Sequence, residues 1–222
     1  MCGRFTLTLP PDLIAEAFGL DLEDLPILEA RYNIAPTQPI AVVRRLRPDG
    51  PRQLDLLRWG LTRPPAGGAR RSGPLINARS ESIATGSAFR DAFRRRRCLV
   101  PADGFYEWAP GRDRRQAFHI TRNDGRPLAL AGLWEPAAAG GAPASCVILT
   151  TEPNERLRPI HDRMPVIVEP ADFDRWLSPE GVTQDALAGI LRPSPAETLA
   201  ARPVGPAVNN AQNEGASCLE PA

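Results

Sequence analysis

Lysine is missing from this chain: all 27 basic residues among its 222 are arginines. No side-chain amine is therefore available, which excludes a Schiff base on lysine and leaves the α-amine of the N-terminus as the only amine nucleophile. The reference pKa of such an amine, about 7.7–8.0, keeps a useful fraction neutral near pH 7. Histidine is nearly absent as well, with only His119 and His161. The four cysteines, Cys2, Cys98, Cys146 and Cys218, contain no Cys-x-x-Cys pair and no small disulfide framework. Neither a structural zinc site nor a disulfide scaffold is expected, and the thiols read as reduced. There is no glycine-rich phosphate loop. No run of 18 uncharged apolar residues occurs, and Met1–Phe5 lacks the charged-then-apolar order of a signal peptide. The expectation is a cytoplasmic protein with no membrane, metal or cofactor. The net charge is only +1, so phosphate affinity would have to come from local clustering of arginines.

What is present fits a globular chain. Apolar residues make up 42% and charged residues 24%, enough to build a sizeable core. Residues 11–18 read as a helix, with Pro11 suited to its first turn and Gly19 to its end. Ile40–Leu46 and Gln53–Trp59 read as a hairpin, with Arg31–Pro39 before them as a proline-punctuated connector. Arg63–Gly73 reads as a surface loop. Short helices are expected over Ala78–Ala84 and Ala88–Arg95. Strands follow at Cys98–Val100, Phe105–Trp108, Ala117–Thr121, Leu128–Trp134, Cys146–Thr151 and Pro165–Val168. Two further helices are expected at Ala171–Leu177 and Thr183–Leu191. This pattern predicts one α+β domain, with an antiparallel sheet or open barrel at its core and short peripheral helices. It would span residues 2–215, with 216–222 a disordered tail.

Several residues carry chemistry. If Met1 is removed, Cys2 presents an α-amine and a thiol on one residue. Such a 1,2-aminothiol condenses with an aldehyde to an imine and then closes to a thiazolidine, each nucleophile acting through its deprotonated form. By position alone, Cys2 reads first as an incidental small residue beside a start codon. Glu107 lies among Phe105, Tyr106 and Trp108, where desolvation would raise its pKa toward acid–base use; on the polar face of a strand it would simply be solvated. His161, followed by Asp162 and Arg163 before Pro165, is either a neutral-pH proton carrier or a surface histidine. His119, in an apolar strand, reads as structural. Asn77 reads as a helix cap, and Arg79 as a phosphate grip beside that cap. The run Arg94–Arg97 is either a solvated face or a track for a nucleic-acid backbone.

Taken in order, Met1-Cys2-Gly3-Arg4-Phe5, Arg31-Tyr32-Asn33-Ile34-Ala35-Pro36-Thr37, Trp59-Gly60, Ile76-Asn77-Ala78-Arg79-Ser80-Glu81, Gly104-Phe105-Tyr106-Glu107-Trp108, His161-Asp162-Arg163-Met164-Pro165 and Val208-Asn209-Asn210 resemble the SRAP domain, the SOS response-associated peptidase family. The resemblance spans residues 2 to about 215. It implies covalent capture of abasic sites in single-stranded DNA by a monomer, through a thiazolidine on the mature N-terminal Cys2. It further implies that Asn77 positions the cysteine or the sugar, that Glu107 is the acid–base catalyst and that His161 assists proton transfer at the sugar oxygen. Arg4, Arg79 and Arg163 would hold phosphates, with Asn33 and Pro36 in the DNA-binding set. The "peptidase" of the family name would be removal of the protein's own leading residue.

Single-strand binding normally uses aromatic stacking. Leu61–Gly73 contains no aromatic residue, which leaves flat contacts to Pro36, Pro64 or Pro65 and to the guanidinium planes of Arg63, Arg70 and Arg71. Two other classes stay open at this level. One is an N-terminal-nucleophile peptidase acting on other proteins through Cys2. The other is a module that binds single strands without a covalent product. Cys98, Cys146 and Cys218 read as structural.

Overall fold

A computed structural model describes residues 2–61, 73–86, 88–111, 115–138 and 141–222. The loop expected at 63–73, including Arg63, Arg70 and Arg71, lies almost wholly outside the described residues. The chain runs through β1 (Phe5–Leu7), α1 (Pro11–Phe18), β2 (Arg31–Ile34), β3 (Pro39–Arg44), β4 (Gln53–Trp59) and β5 (Asn77–Arg79). It continues through α2 (Arg90–Arg95), β6 (Arg97–Ala102), β7 (Gly104–Ala109), β8 (Gln116–Arg122), β9 (Leu128–Glu135) and β10 (Ser145–Thr151). The last elements are β11 (Met164–Pro165), α3 (Phe173–Leu177) and β12 (Leu199–Val204). The α+β class and the antiparallel core are as expected.

Two sheets share the strands. One is antiparallel, in the order β12-β8-β7-β1-β2. The other runs β11-β10-β4-β3-β6-β9 and closes on itself, because β9 also pairs with β10. A closed sheet leaves no edge for other chains to template on, so this barrel is shut rather than open. β10 is its branch point. One edge of β10 pairs in parallel first with β4 and then with β5, while the other pairs with β9 and then with β11. Lateral forking of this kind brings β5 and β11, distant in sequence, to opposite sides of one strand.

Local chemistry explains the elements. Helix α1 opens on Pro11, whose missing N–H would be unpaired there anyway. It closes on Gly19 at φ 63°, with the Arg52 guanidinium donating to the Phe18 carbonyl at 2.8 Å. At the start of β7, Gly104 permits a close approach: a Cβ there would sit 2.4 Å from His119 Nε2 and 2.7 Å from the Ile120 oxygen. The expected strand at Pro165–Val168 is shorter, because only Met164–Pro165 pairs with β10. The expected helix at Ala78–Ala84 instead begins as strand β5, drawn onto the open edge of β10, and continues as a 3-10 turn at Ser80–Ser82. Thr183–Leu191 holds only a 3-10 turn at Asp185–Leu187.

Three strands had no sequence signal. β1 is three residues long and buried throughout, β2 begins with polar residues, and β12 carries Pro203, which an edge strand tolerates. The C-terminal residues are also not a loose tail. Ala216–Leu219 form a 3-10 turn, Cys218 is buried, and Pro221 bridges to Val204.

The core is continuous from the first strand to the last helix. Its largest fully buried side chains include Trp59, Trp176, Phe5, Phe93 and Phe105. The arginine run splits by burial. Arg97 is inside, donating to the carbonyls of Phe93, Trp176, Ser178 and Glu180, and Arg96 pairs with Glu135. Only Arg94 and Arg95 are left exposed, so the run is not a four-residue track for a backbone.

Candidate active site

The two sheets meet where Cys2 enters β1. Cys2 is fully buried and belongs to the main core. Its carbonyl accepts a hydrogen bond from Asn77 Nδ2 at 2.8 Å. Asn77 therefore does not cap a helix: it sits on β5 and ties the start of the chain to the barrel. Its Oδ1 is buried with no hydrogen-bond partner among the described residues. An unspent buried acceptor is costly and is common where a ligand completes the site.

Glu107 lies on β7, beside β1 in the antiparallel sheet. It is only 3% exposed. Burial pushes its carboxyl up to about 7, with the charge of Asp162 adding to the effect. A carboxyl at that value exists in both forms near neutrality, which is what a group that must both give and take a proton needs. Burial also pushes the Cys2 thiol well above its ordinary value, and the negative charge of Glu107 pushes it further. A protonated Glu107 therefore eases formation of the thiolate.

His161 comes from the loop before β11. Its Nε2 is 3.7 Å from Glu107 Oε2. On the other side of the ring, Nδ1 accepts the Arg163 backbone N–H at 3.0 Å and also lies 2.9 Å from Asp162 Oδ1. Burial lowers the pKa of the imidazole, and Asp162 pulls it back up. Accepting the N–H calls for a bare Nδ1, which places the neutral ring's proton on Nε2 toward Glu107, whereas Asp162 favours a protonated Nδ1. Cys2, Asn77, Glu107 and His161 thus converge from both sheets. His119, by contrast, is buried against Thr6 and the Tyr106 ring, and burial lowers its pKa to about 4. It is structural, as expected.

The residues expected to grip DNA divide differently. Arg79 is exposed beside the site; the three-residue turn that follows it is too short to add a helix dipole. Pro36 is half-buried on a turn after β2, next to Thr37 at φ 74°. Arg163 makes a bidentate pair with Glu81, at 2.7 and 2.9 Å, and donates to the Thr150 carbonyl at 2.6 Å. Its charge is already matched. Arg4 and Asn33 are occupied elsewhere: Arg4 Nη1 donates to Asn33 Oδ1 and to the Val208 carbonyl, both at 2.8 Å. Asn33 is fully buried, and its Nδ2 donates to the carbonyls of Asn210 at 3.0 Å and Asn213 at 2.9 Å. In this DNA-free structure Asn33 acts as a clasp on the C-terminal segment.

Sequence reasoning missed two partners in this arrangement. Glu214 accepts from Arg31 and from the backbone N–H groups of Tyr32 and Asn33, and nothing in the sequence pairs residue 214 with residues 31–33. Glu81 was legible only as the last residue of a motif. A cleft of about 390 Å³ between α1 and the β8–β9 turn is lined by Leu13, Phe18, Arg122, Arg126 and Phe173. None of Cys2, Asn77, Glu107 and His161 lines it.

A family model described as SOS response associated peptidase (SRAP) matches residues 1–211. The chain is similar to the abasic site processing protein YoqW of Bacillus subtilis (strain 168), 36% identical over 225 residues that cover 99% of both proteins. It is also similar to the abasic site processing protein YedK of Escherichia coli (strain K12), 32% identical over 230 residues and the full length of both. Among solved structures, a Bacteroides thetaiotaomicron protein has TM-score 0.79 at 18% identity, covering all of both chains. A Bordetella bronchiseptica protein has TM-score 0.75 at 26% identity, covering 92% of this chain and all of the other. The match of the family model across residues 1–211, with relatives 36% and 32% identical over the length of the chain, makes it a member of the SRAP family.

Proposed function

We propose that this protein processes abasic sites in DNA, and that it does so by forming a covalent thiazolidine between Cys2 and the ring-opened sugar of a single strand. The names of its relatives support the substrate class. The observation that carries the mechanism is the convergence of Cys2, Asn77, Glu107 and His161, with a carboxyl held near 7 at its centre.

Removal of Met1 turns the Cys2 nitrogen into an amine. That amine attacks the C1′ aldehyde and gives a carbinolamine. Glu107 or His161 protonates the departing hydroxyl, water leaves, and a protonated imine remains. The Cys2 sulfur then adds to its carbon, the nitrogen keeps its proton, and the thiol proton passes back to the group that gave one up. One water is lost in all, and reversal adds it back. Asn77 holds the Cys2 carbonyl during these steps, and its unspent Oδ1 is positioned to accept from the amine or from a sugar hydroxyl. Burial of the thiol suits attack on an electrophile already tethered, where proximity replaces intrinsic thiolate strength.

Exposed Arg79 is the leading phosphate contact. Removal of the protein's own Met1 is the peptidase step of this reading. Hydrolysis of other proteins gains no separate observation.

The test is intact mass spectrometry of the protein mixed with a single-stranded oligonucleotide carrying one abasic site. The expected product is the Met-less protein plus the oligonucleotide minus one water, lost in Cys2→Ser. Absence of any adduct, with Met1 confirmed removed, overturns the proposal and leaves non-covalent strand binding as the reading to pursue.

A further inference from the structure

The ring of His161 has two competing partners for one nitrogen. The Arg163 backbone N–H reaches Nδ1 at 3.0 Å and needs that nitrogen bare. Asp162 Oδ1 lies 2.9 Å from the same nitrogen and needs it protonated. Whichever wins decides whether the proton of the neutral ring sits on Nε2, facing Glu107, or on Nδ1, facing away.

The backbone of Arg163 is not held by its neighbours alone. Its guanidinium is anchored on Glu81 through two oxygens, at 2.7 and 2.9 Å, and on the Thr150 carbonyl at 2.6 Å. A bidentate guanidinium–carboxylate pair fixes direction as well as distance. The Arg163 side chain is 13% exposed and that of Glu81 50%, so the pair lies at the rim of the site. Glu81 also belongs to the short element that starts as β5 and carries Asn77 four residues earlier. A single pair therefore ties the segment holding Cys2 to the loop holding His161.

We propose that Glu81 is a positioning residue: through Arg163 it keeps the Arg163 N–H on His161 Nδ1, and so keeps the His161 proton on Nε2 toward Glu107. The inference deepens the abasic-site reading and rests on it for its catalytic consequence. Its structural half stands independently, because the tautomer is a property of the DNA-free protein. Without Glu81, the Arg163 side chain keeps only its Thr150 anchor. Its backbone relaxes, and Asp162 captures the proton on Nδ1. His161 Nε2 then faces Glu107 as a bare acceptor and can no longer donate.

The test uses two variants and two readouts on the full chain. Glu81→Ala removes both oxygens, and Glu81→Gln retains one acceptor for Arg163. With only two histidines in the chain, ¹⁵N NMR of labelled protein separates His161 from buried His119, and His119 serves as an internal reference. The wild type is expected to show a bare, pyridine-type Nδ1 on His161. Glu81→Ala is expected to show the proton moved to Nδ1, and Glu81→Gln an intermediate population, with His119 unchanged in both.

Adduct formation with abasic oligonucleotide is expected to fall about a hundredfold in Glu81→Ala, the scale of a small misplacement of a catalytic group, and by less in Glu81→Gln. A His161 tautomer that does not change in Glu81→Ala overturns the proposal whatever the rate does. A changed tautomer with an unchanged rate also overturns it, because the positioning would then serve no step. If the wild type itself forms no adduct, the abasic-site reading fails, while the tautomer measurement still decides whether Glu81 positions His161.

Discussion

Asn77 and Asn33 are the same residue type, each sits in one of the ordered motifs, and they lie on strands of different sheets, yet their amides are used in opposite ways. Asn33 is fully buried and spends its carbonyl on Arg4 and its amino group on the C-terminal backbone. Asn77 spends its amino group on the Cys2 carbonyl and leaves its Oδ1 unbonded among the described residues. The first is a finished structural clasp; the second is half of an unfinished hydrogen-bond set. Arginines divide the same way: Arg4 and Arg97 are consumed by carbonyls, whereas Arg79 is exposed. Residue type within a motif therefore does not distinguish holding the protein together from meeting a substrate. The count of unspent donors and acceptors does.

That contrast can be tested from its strongest consequence downward. Cys2→Ser is expected to eliminate the heat-stable adduct altogether, read by denaturing gel and intact mass; a persisting adduct would move the nucleophile elsewhere. Glu107→Gln is expected to slow adduct formation, reversal or both by about a hundredfold, the low end for general acid–base catalysis, read from single-turnover time courses.

The same substitution is expected to stabilise the protein above neutrality. Because the folded carboxyl has its pKa raised to about 7, the folded state holds a proton that the unfolded chain has already released. The wild type therefore loses stability as pH climbs from about 4.5 to about 7. The loss amounts to about 3 kcal/mol, and Glu107→Gln escapes it. Denaturant melts at pH 5 and pH 8 check this: the variant's advantage must appear at pH 8 and shrink at pH 5.

Asn33→Ala is expected to destabilise the fold by about 3 kcal/mol, since it removes the Asn33 acceptor of Arg4 and the donor to the Asn210 and Asn213 carbonyls together. The salt dependence of single-strand binding should not change. Arg79→Ala is expected to do the reverse and least. Stability should hold, while the slope of log affinity against log salt should fall by about 0.7, the value of one phosphate contact on a single strand. A lowered salt slope in Asn33→Ala, or an unchanged one in Arg79→Ala, would erase the distinction between clasp and contact.

Much of the architecture was legible because it is local. Pro11 and Gly19 bracket α1, and the alternating hairpin of β3 and β4 and the strands β6 to β10 follow apolar runs bounded by turn residues. β1, β2 and β12 were not legible, since their pairing comes from sheet neighbours rather than from their own composition. The four central site residues were readable as an ordered set, because each motif keeps its chemistry whatever its distance from the next. The contacts of Asn33 with the C-terminal segment were not legible, for one reason. The partners, Val208, Asn210, Asn213 and Glu214, lie about 180 residues away from Asn33, and no spacing rule reaches that far.

By itself the sequence determined the chemical inventory. Without lysine, the only amine nucleophile is the chain's own, and Cys2 stands beside it with a thiol. Ionisation and geometry were left to the tertiary structure. Closure of the barrel and the forking of β10 bring β5 and the His161 loop against β1 and β7, and only there does burial lift Glu107 to about 7. Desolvation depends on what surrounds a group in space, and a hydrogen bond depends on which atoms arrive unspent. Neither quantity exists until the chain has folded.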